Sequence, residues 1–148
     1  MDEPRLVLPF IDKDGMLFGF TGRSFKKNSL RYLTIMIDDT KPKIFGLDKV
    51  DFNRKYYVVE GPIDSLFLDN AIAVSGTSFG KLSETGLDKD NLNIVFDNQP
   101  RNVEVCKLIE KNIDQGYSVV IWPQTIIAKD INETINVPII RSIAFLLE

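Results

Sequence analysis

The sequence predicts an α/β fold, a mainly parallel sheet with flanking helices, preceded by a small β-rich basic subdomain. Three observations carry that reading. From about residue 55, short apolar runs alternate with helix-like stretches, the pattern of βαβ units. Before that point the runs favour β structure, and the first two are joined by Asp12-Lys13-Asp14-Gly15, where Asp-Gly is a hairpin signal. Positive charge gathers in the same front part: residues 1–55 hold 11 Lys and Arg against 8 Asp and Glu, whereas residues 56–148 hold 7 against 13. The expected division is therefore residues 1–54 and 55–148.

Taken in order, Arg5–Ile11 and residues 16–20 read as the two arms of the hairpin, and residues 32–37, rich in β-branched side chains, as a third strand. Asp38-Asp39-Thr40-Lys41-Pro42 is a turn, and residues 43–47 form a short extended piece. Residues 55–59 make the first strand of the second part, and Pro62 suits the first turn of a helix over 62–69. Ala71–Val74 is the next strand and 81–84 a short helix, followed by a strand over 93–96. Residues 102–115 place Val105, Leu108, Ile109 and Ile113 on one helical face, with Gly116 as the stop. A strand over 117–122 and short helices over 130–134 and 141–148 complete the chain.

Composition excludes several chemistries. The chain of 148 residues is long enough for one real core and has no histidine, so serine–histidine and cysteine–histidine catalysis and histidine metal sites are out. One cysteine, Cys106, makes neither an internal disulfide nor a zinc knuckle, and its spacing predicts a small buried core residue. No apolar run approaches the roughly 20 residues that span a bilayer, and Met1-Asp2-Glu3-Pro4 is acidic where a signal peptide is basic. A cytoplasmic protein without a membrane partner is expected.

The chemistry concentrates in acids that follow predicted strands. Val58-Val59-Glu60-Gly61-Pro62-Ile63-Asp64 ends an apolar run on a glutamate with a second acid four residues on; Asn93-Ile94-Val95-Phe96-Asp97-Asn98-Gln99 ends another on an aspartate, and Asp130 follows the strand that contains Trp122. In a parallel sheet these acids share the carboxyl edge, where such sheets build their sites. Carboxylates without histidine or cysteine suit magnesium, and magnesium suits phosphate chemistry. Helix capping or solvation is the competing reading for each acid taken singly. Gly61 and Gly76 also follow strands, either as plain turns or to admit a phosphate or metal close to the backbone. The basic front beside an acidic back fits a protein that holds a polyanion next to a metal, against the alternative of ordinary surface solvation.

Glu60-Gly61-x-x-Asp64 followed by a strand ending in Asp97-Asn98-Gln99 resembles the Toprim domain, a Rossmann-like metal-binding fold of topoisomerases, bacterial-type primases and some nucleases. Gly19-Phe20-Thr21-Gly22-Arg23, Arg31-Tyr32 and Ile44-Phe45-Gly46-Leu47 are similar to the segment before Toprim in bacterial-type primases. Ser75-Gly76-Thr77-Ser78-Phe79 and Lys129-Asp130-Ile131-Asn132-Glu133 resemble its later motifs, and Asp97-Asn98-Gln99-Pro100-Arg101-Asn102 is most like primases of T-even-type phages.

The resemblance implies the catalytic core of a DNA primase, joining ribonucleoside triphosphates into RNA primers on single-stranded DNA with Mg²⁺ or Mn²⁺. By position, Glu60, Asp97 and Asp130 would be catalytic, and the metal would be held by them together with Asp64 and Gln99. Arg23, Arg31, Lys43, Gly61, Gly76 and Lys129 would meet nucleic acid or nucleotide. Two departures stand out. Gln99 occupies a position where Toprim domains carry an acid, which supplies less charge to a cation. The chain also lacks the zinc module and the helicase-binding module of complete primases, so it is expected to be a fragment or to work with a zinc-binding module and a replicative helicase. The rival readings are a Toprim nuclease using the same acids to activate water, and a non-catalytic module that only grips nucleic acid.

Overall fold

The computed structural model describes residues 3–27, 29–75 and 79–135. The helix expected over 141–148 and the glycine expected at the site, Gly76, lie outside them.

The front of the chain forms a three-stranded antiparallel sheet in the order β1 (Arg5–Ile11), β2 (Leu17–Ser24), β3 (Tyr32–Met36). The expected hairpin forms. Its turn is fixed by the Asp12 carboxylate, which accepts from the backbone N–H groups of Asp14 at 3.0 Å and Met16 at 2.9 Å, and by Gly15 at φ +80°, a conformation that costs glycine little. A register shift between Phe10 and Ile11 leaves Phe18 as the extra residue of β2. Both Phe10 and Phe18 turn inward, with ring centroids 5.9 Å apart.

The second sheet has five strands in the order β4-β6-β5-β7-β8: β4 (Ile44–Phe45), β5 (Tyr56–Val59), β6 (Ala71–Val74), β7 (Leu92–Ile94) and β8 (Ser118–Val119). Only β4 runs antiparallel to its neighbour, β6. Ile44 and Phe45, which precede residue 55 in the sequence, thus form one edge of this sheet. The connections are α1 (Pro62–Ser65), a 3-10 helix (Phe79–Thr85), α2 (Val103–Asp114) and α3 (Ile131–Ile135).

Alternation along β5 divides the core into two. Tyr56 and Val58 point to the side of α2 and the 3-10 helix, with Ile72, Val74, Leu92, Ile94 and Phe96. Val59, with Ala73 and Val95, points to the other side, where Phe10 and Phe18 of the first sheet, Ile63 of α1 and Ile131 of α3 close the core. The helix after β5 therefore lies on one face and the helix after β7 on the opposite face. Strands whose connections diverge in this way leave a crevice at their carboxyl ends, and here that crevice lies between β5 and β7.

Several elements are shorter than the sequence predicts. The strand expected over 117–122 pairs only at Ser118 and Val119, because its partner β7 stops at Ile94; beyond it, Trp122 is held instead by an indole N–H donated to the Phe96 carbonyl at 2.7 Å. The helix expected over 62–69 stops at Ser65, and the chain turns back through Asn70 at φ +56°. In α2 the apolar face is Val105, Leu108 and Ile109, while Ile113 is exposed and Asn112 is the buried residue of the last turn. Cys106 is half-buried, not buried: one residue past Val105, it sits about 100° away from the stripe that faces the core.

Phe10 is fully buried in the cluster that both sheets share. Phe10→Ala should lower unfolding free energy by roughly 3–5 kcal/mol in urea titration, whereas an independent first sheet would leave the transition of the second sheet unmoved.

Candidate active site

The crevice between β5 and β7 collects the acids. Glu60 follows β5 directly, Asp64 lies in α1, Asp97 follows the Val95-Phe96 extension of β7, and Asp130 precedes α3. All four line one small pocket of about 10 Å³ floored by Val59, Val95, Phe96, Trp122 and Ile131. That is on the order of one water-sized sphere.

Each acid is placed by local chemistry. Gly61, the residue before α1, has an ordinary extended backbone, but a Cβ added there would lie 2.5 Å from Asp64 Oδ2. The room left by this glycine is used by Asp64 itself. The Asp64 Oδ1 accepts from the Asn132 backbone N–H at 3.0 Å, which ties α1 to α3. Asp130 caps α3, its Oδ1 accepting from the Glu133 N–H at 2.8 Å, while Glu133 Oε2 accepts from the Lys129 N–H at 2.9 Å. For Asp130 the capping reading and the pocket reading therefore hold together.

Asp97 has the richest surroundings. Its Oδ2 accepts from Gln99 Nε2 at 3.3 Å and lies 3.7 Å from the Lys129 ammonium. Asn98 fastens the loop that carries Lys129 and Asp130: its N–H donates to the Lys129 carbonyl at 2.6 Å and its amide to the carbonyls of Ile126 and Ala128, both at 2.9 Å. Asn98 and Asn102, which holds Gln99 and caps α2, were not singled out from the sequence. Position alone signals them, one directly after the key aspartate and one at a helix start.

Electrostatics follow from this crowding. Burial, reinforced by Asp97 and Asp64, pushes the Glu60 carboxyl above its ordinary range although part of its surface stays in water, and Lys129 opposes the shift. Asp64 is raised by burial and by Asp130 and Asp97, against the Asn132 N–H. Asp97 is raised by burial and Asp130, against Lys129 and Gln99. Three acids are thus held where their charged forms are disfavoured, an arrangement that a cation relieves.

Among the described residues, no group of three or more metal-ligating side chains is drawn tightly enough to hold an ion alone. Magnesium does not need one. It binds through one or two carboxylates, several waters and substrate phosphates, and a pocket lined only by carboxylates as ligating groups suits it and Mn²⁺ chemically. A wider groove of about 950 Å³ opens from Asp97, between the start of α2 and residues 120–127.

The basic residues divide. Arg23 donates to the Tyr32 hydroxyl at 2.6 Å and stacks 5.3 Å from its ring centroid, and Arg31 lies 5.9 Å from the same ring. Lys43 is exposed just ahead of β4. Lys129 alone of the expected basic residues reaches the acidic pocket.

No family model matches the sequence. The chain is 38% identical over 139 residues to a DNA primase of Enterobacteria phage T4, a match that covers 92% of this chain and 40% of the phage protein. Among solved structures, the zinc-binding and RNA polymerase domains of the Aquifex aeolicus primase superpose with a TM-score of 0.69 at 23% identity, over 97% of this chain and 40% of that one. A DnaG primase catalytic domain bound to single-stranded DNA superposes at 0.70 with 20% identity, over 97% and 51%. The chain has the fold of a primase catalytic core. Its likeness to the T-even phage enzyme runs through almost the whole chain, as the Asp97 motif implied, and the chain spans two-fifths of that relative's length. Among the described residues no helix is long and apolar enough to cross a membrane.

Two outcomes follow. A carboxyl whose pKa is raised by folding binds its proton more tightly in the folded state, so its charge costs stability at neutral pH and the cost fades as pH falls through the raised value. Asp97→Asn should therefore melt above wild type at pH 7, with the gap closing as pH is lowered towards the ordinary carboxylate range; equal melting at pH 7 contradicts the crowding. Gly61→Ala must displace the Asp64 carboxylate. It should lower Mn²⁺ affinity measured by calorimetry more than it lowers thermal stability, whereas unchanged affinity would mean that Asp64 has no part in the pocket's shape.

Proposed function

We propose that this chain is the catalytic core of a DNA primase that synthesises RNA primers on single-stranded DNA. The observation that carries the reading is the 38% identity to the phage T4 DNA primase over 92% of the chain. The convergence of Glu60, Asp64, Asp97 and Asp130 on one pocket supports it. In this reading residues 55–148 form the Toprim unit and residues 1–54 the basic front part, with β4 as the strand that joins them.

The reaction forms a bond between a primer 3′-oxygen and the α-phosphorus of a ribonucleoside triphosphate and breaks the bond to the β-phosphate, releasing pyrophosphate. When bound, Mg²⁺ or Mn²⁺ would neutralise phosphate charge and make the attacking hydroxyl more acidic. Glu60, Asp97 and Asp130 would hold that cation, with Asp64 bracing α3 against α1. In this reading Glu60, part of whose surface stays in water, would also take the hydroxyl's proton. Lys129, next to Asp97, would meet the phosphates together with the backbone at Gly61 and Gly76. Arg23, Arg31 and Lys43 would track the template backbone, with the Tyr32 ring beside both arginines. The single-stranded DNA held by the DnaG catalytic domain supports that partner. A zinc-binding module and a replicative helicase would complete the machine, which would work in the host cytoplasm.

Primer synthesis, assayed with Mg²⁺, ribonucleoside triphosphates and the zinc and helicase modules supplied, should vanish in Asp97→Ala while circular dichroism stays native-like. Substantial activity in that variant, or DNA degradation in place of synthesis, overturns the assignment. Arg23→Ala should weaken single-strand binding and reduce the salt slope by about one counterion, with little dependence on base sequence.

A further inference from the structure

Where related Toprim domains carry an acid, this chain has Gln99, and both ends of its amide are engaged. Gln99 Nε2 donates to Asp97 Oδ2 at 3.3 Å, and Gln99 Oε1 accepts from Asn102 Nδ2 at 2.9 Å. Asn102 in turn caps α2, its Oδ1 accepting from the backbone N–H groups of Glu104 at 3.0 Å and Val105 at 3.5 Å. The backbone closes the same turn: the Asn102 N–H donates to the Gln99 carbonyl at 2.9 Å, and the Gln99 N–H to the Asp97 carbonyl at 2.8 Å. An unbroken run of hydrogen bonds therefore leads from the first turn of α2 to the pocket carboxylate.

We propose that Gln99 is a positioning residue, held by Asn102, that fixes the Asp97 carboxylate for a divalent cation in place of adding a ligand of its own. An acid at residue 99 would face Asp97 as a like charge in a pocket already crowded with carboxylates. The amide reverses that interaction. It gives Asp97 a donor, and its own oxygen is taken up by Asn102. Both side-chain contacts to Asp97, from Gln99 and from Lys129, fall on Oδ2, so the carboxylate is steered through one oxygen. The helix supplies the rigid end of the relay, since the same asparagine satisfies two of its unpaired N–H groups. Groups of this kind set the orientation of a ligand, and their loss lowers metal affinity without removing any ligand.

The inference rests on the reading of Asp97 as a cation ligand, and the test separates the two. Mn²⁺ alone is titrated by calorimetry into the full chain, its Asp97→Asn variant, Gln99→Ala, Asn102→Ser and the double variant. Serine at 102 keeps a capping oxygen but has no amide to reach Gln99, so melting temperature should stay near wild type. A relay predicts a loss of Mn²⁺ affinity of roughly tenfold in Gln99→Ala, a smaller loss in Asn102→Ser, and no further loss when the two are combined. A merely structural role for Asn102 predicts unchanged affinity in Asn102→Ser, which overturns the relay. Undiminished affinity in Gln99→Ala, with binding lost in Asp97→Asn, overturns the inference and leaves the metal site standing. Undiminished affinity in Asp97→Asn overturns both.

Discussion

Carboxylates repel one another, and burial makes each one costlier to ionise, so a pocket that gathers four of them exists only because the surrounding fold forces them together. Here the force is topological. β5 and β7 are adjacent and parallel, their connections leave towards opposite faces, and the chain emerging from each must pass the same crevice. Glu60 and Asp97 are delivered there by strand register, Asp64 by the first turn of α1, and Asp130 by the loop that Asn98 fastens down. The repulsion is met by Lys129, by Gln99 and by backbone N–H groups, and it remains incomplete, since Glu60, Asp64 and Asp97 all stay above their ordinary range. The unmet part is what a divalent cation would supply.

The rest of the molecule serves that edge. The three-stranded sheet contributes Leu8, Phe10 and Phe18 to the core behind the pocket, on the face that also carries Ile63 and Ile131. Packing of the front part is therefore continuous with the elements that position Asp64 and Asp130. On the opposite face α2 lays Val105, Leu108 and Ile109 over the sheet, and its first turn reaches back to Asp97 through Asn102 and Gln99. Both faces of the sheet thus bear on the same carboxylate cluster.

Much of this was legible in the sequence because it rests on local chemistry. Asp-Gly fixed the hairpin, Pro62 marked the start of α1, and apolar runs ending in acids located the crevice. What escaped depends on partners distant in sequence. The strand expected over 117–122 reads as β throughout, yet pairing ends at Val119 because β7 ends at Ile94, and a strand's own composition carries no record of its neighbour's length. The helical period through 105, 108, 109 and 113 is sound, but the stripe drifts around α2, and Asn112 takes the buried place expected for Ile113. Among the expected site residues the four acids line one pocket and Lys129 adjoins it, while Arg23 and Arg31 gather around Tyr32. Shared sign of charge does not specify shared location.

The account stands on a divalent cation entering the crevice between β5 and β7. The most direct measurement is anomalous diffraction from crystals of this chain soaked in Mn²⁺. A peak within about 2–2.5 Å of carboxylate oxygens of Asp97 and at least one of Glu60, Asp64 and Asp130 is the expected result. A well-ordered, fully soaked crystal with no peak in the crevice, or with its ion bound elsewhere, would contradict it.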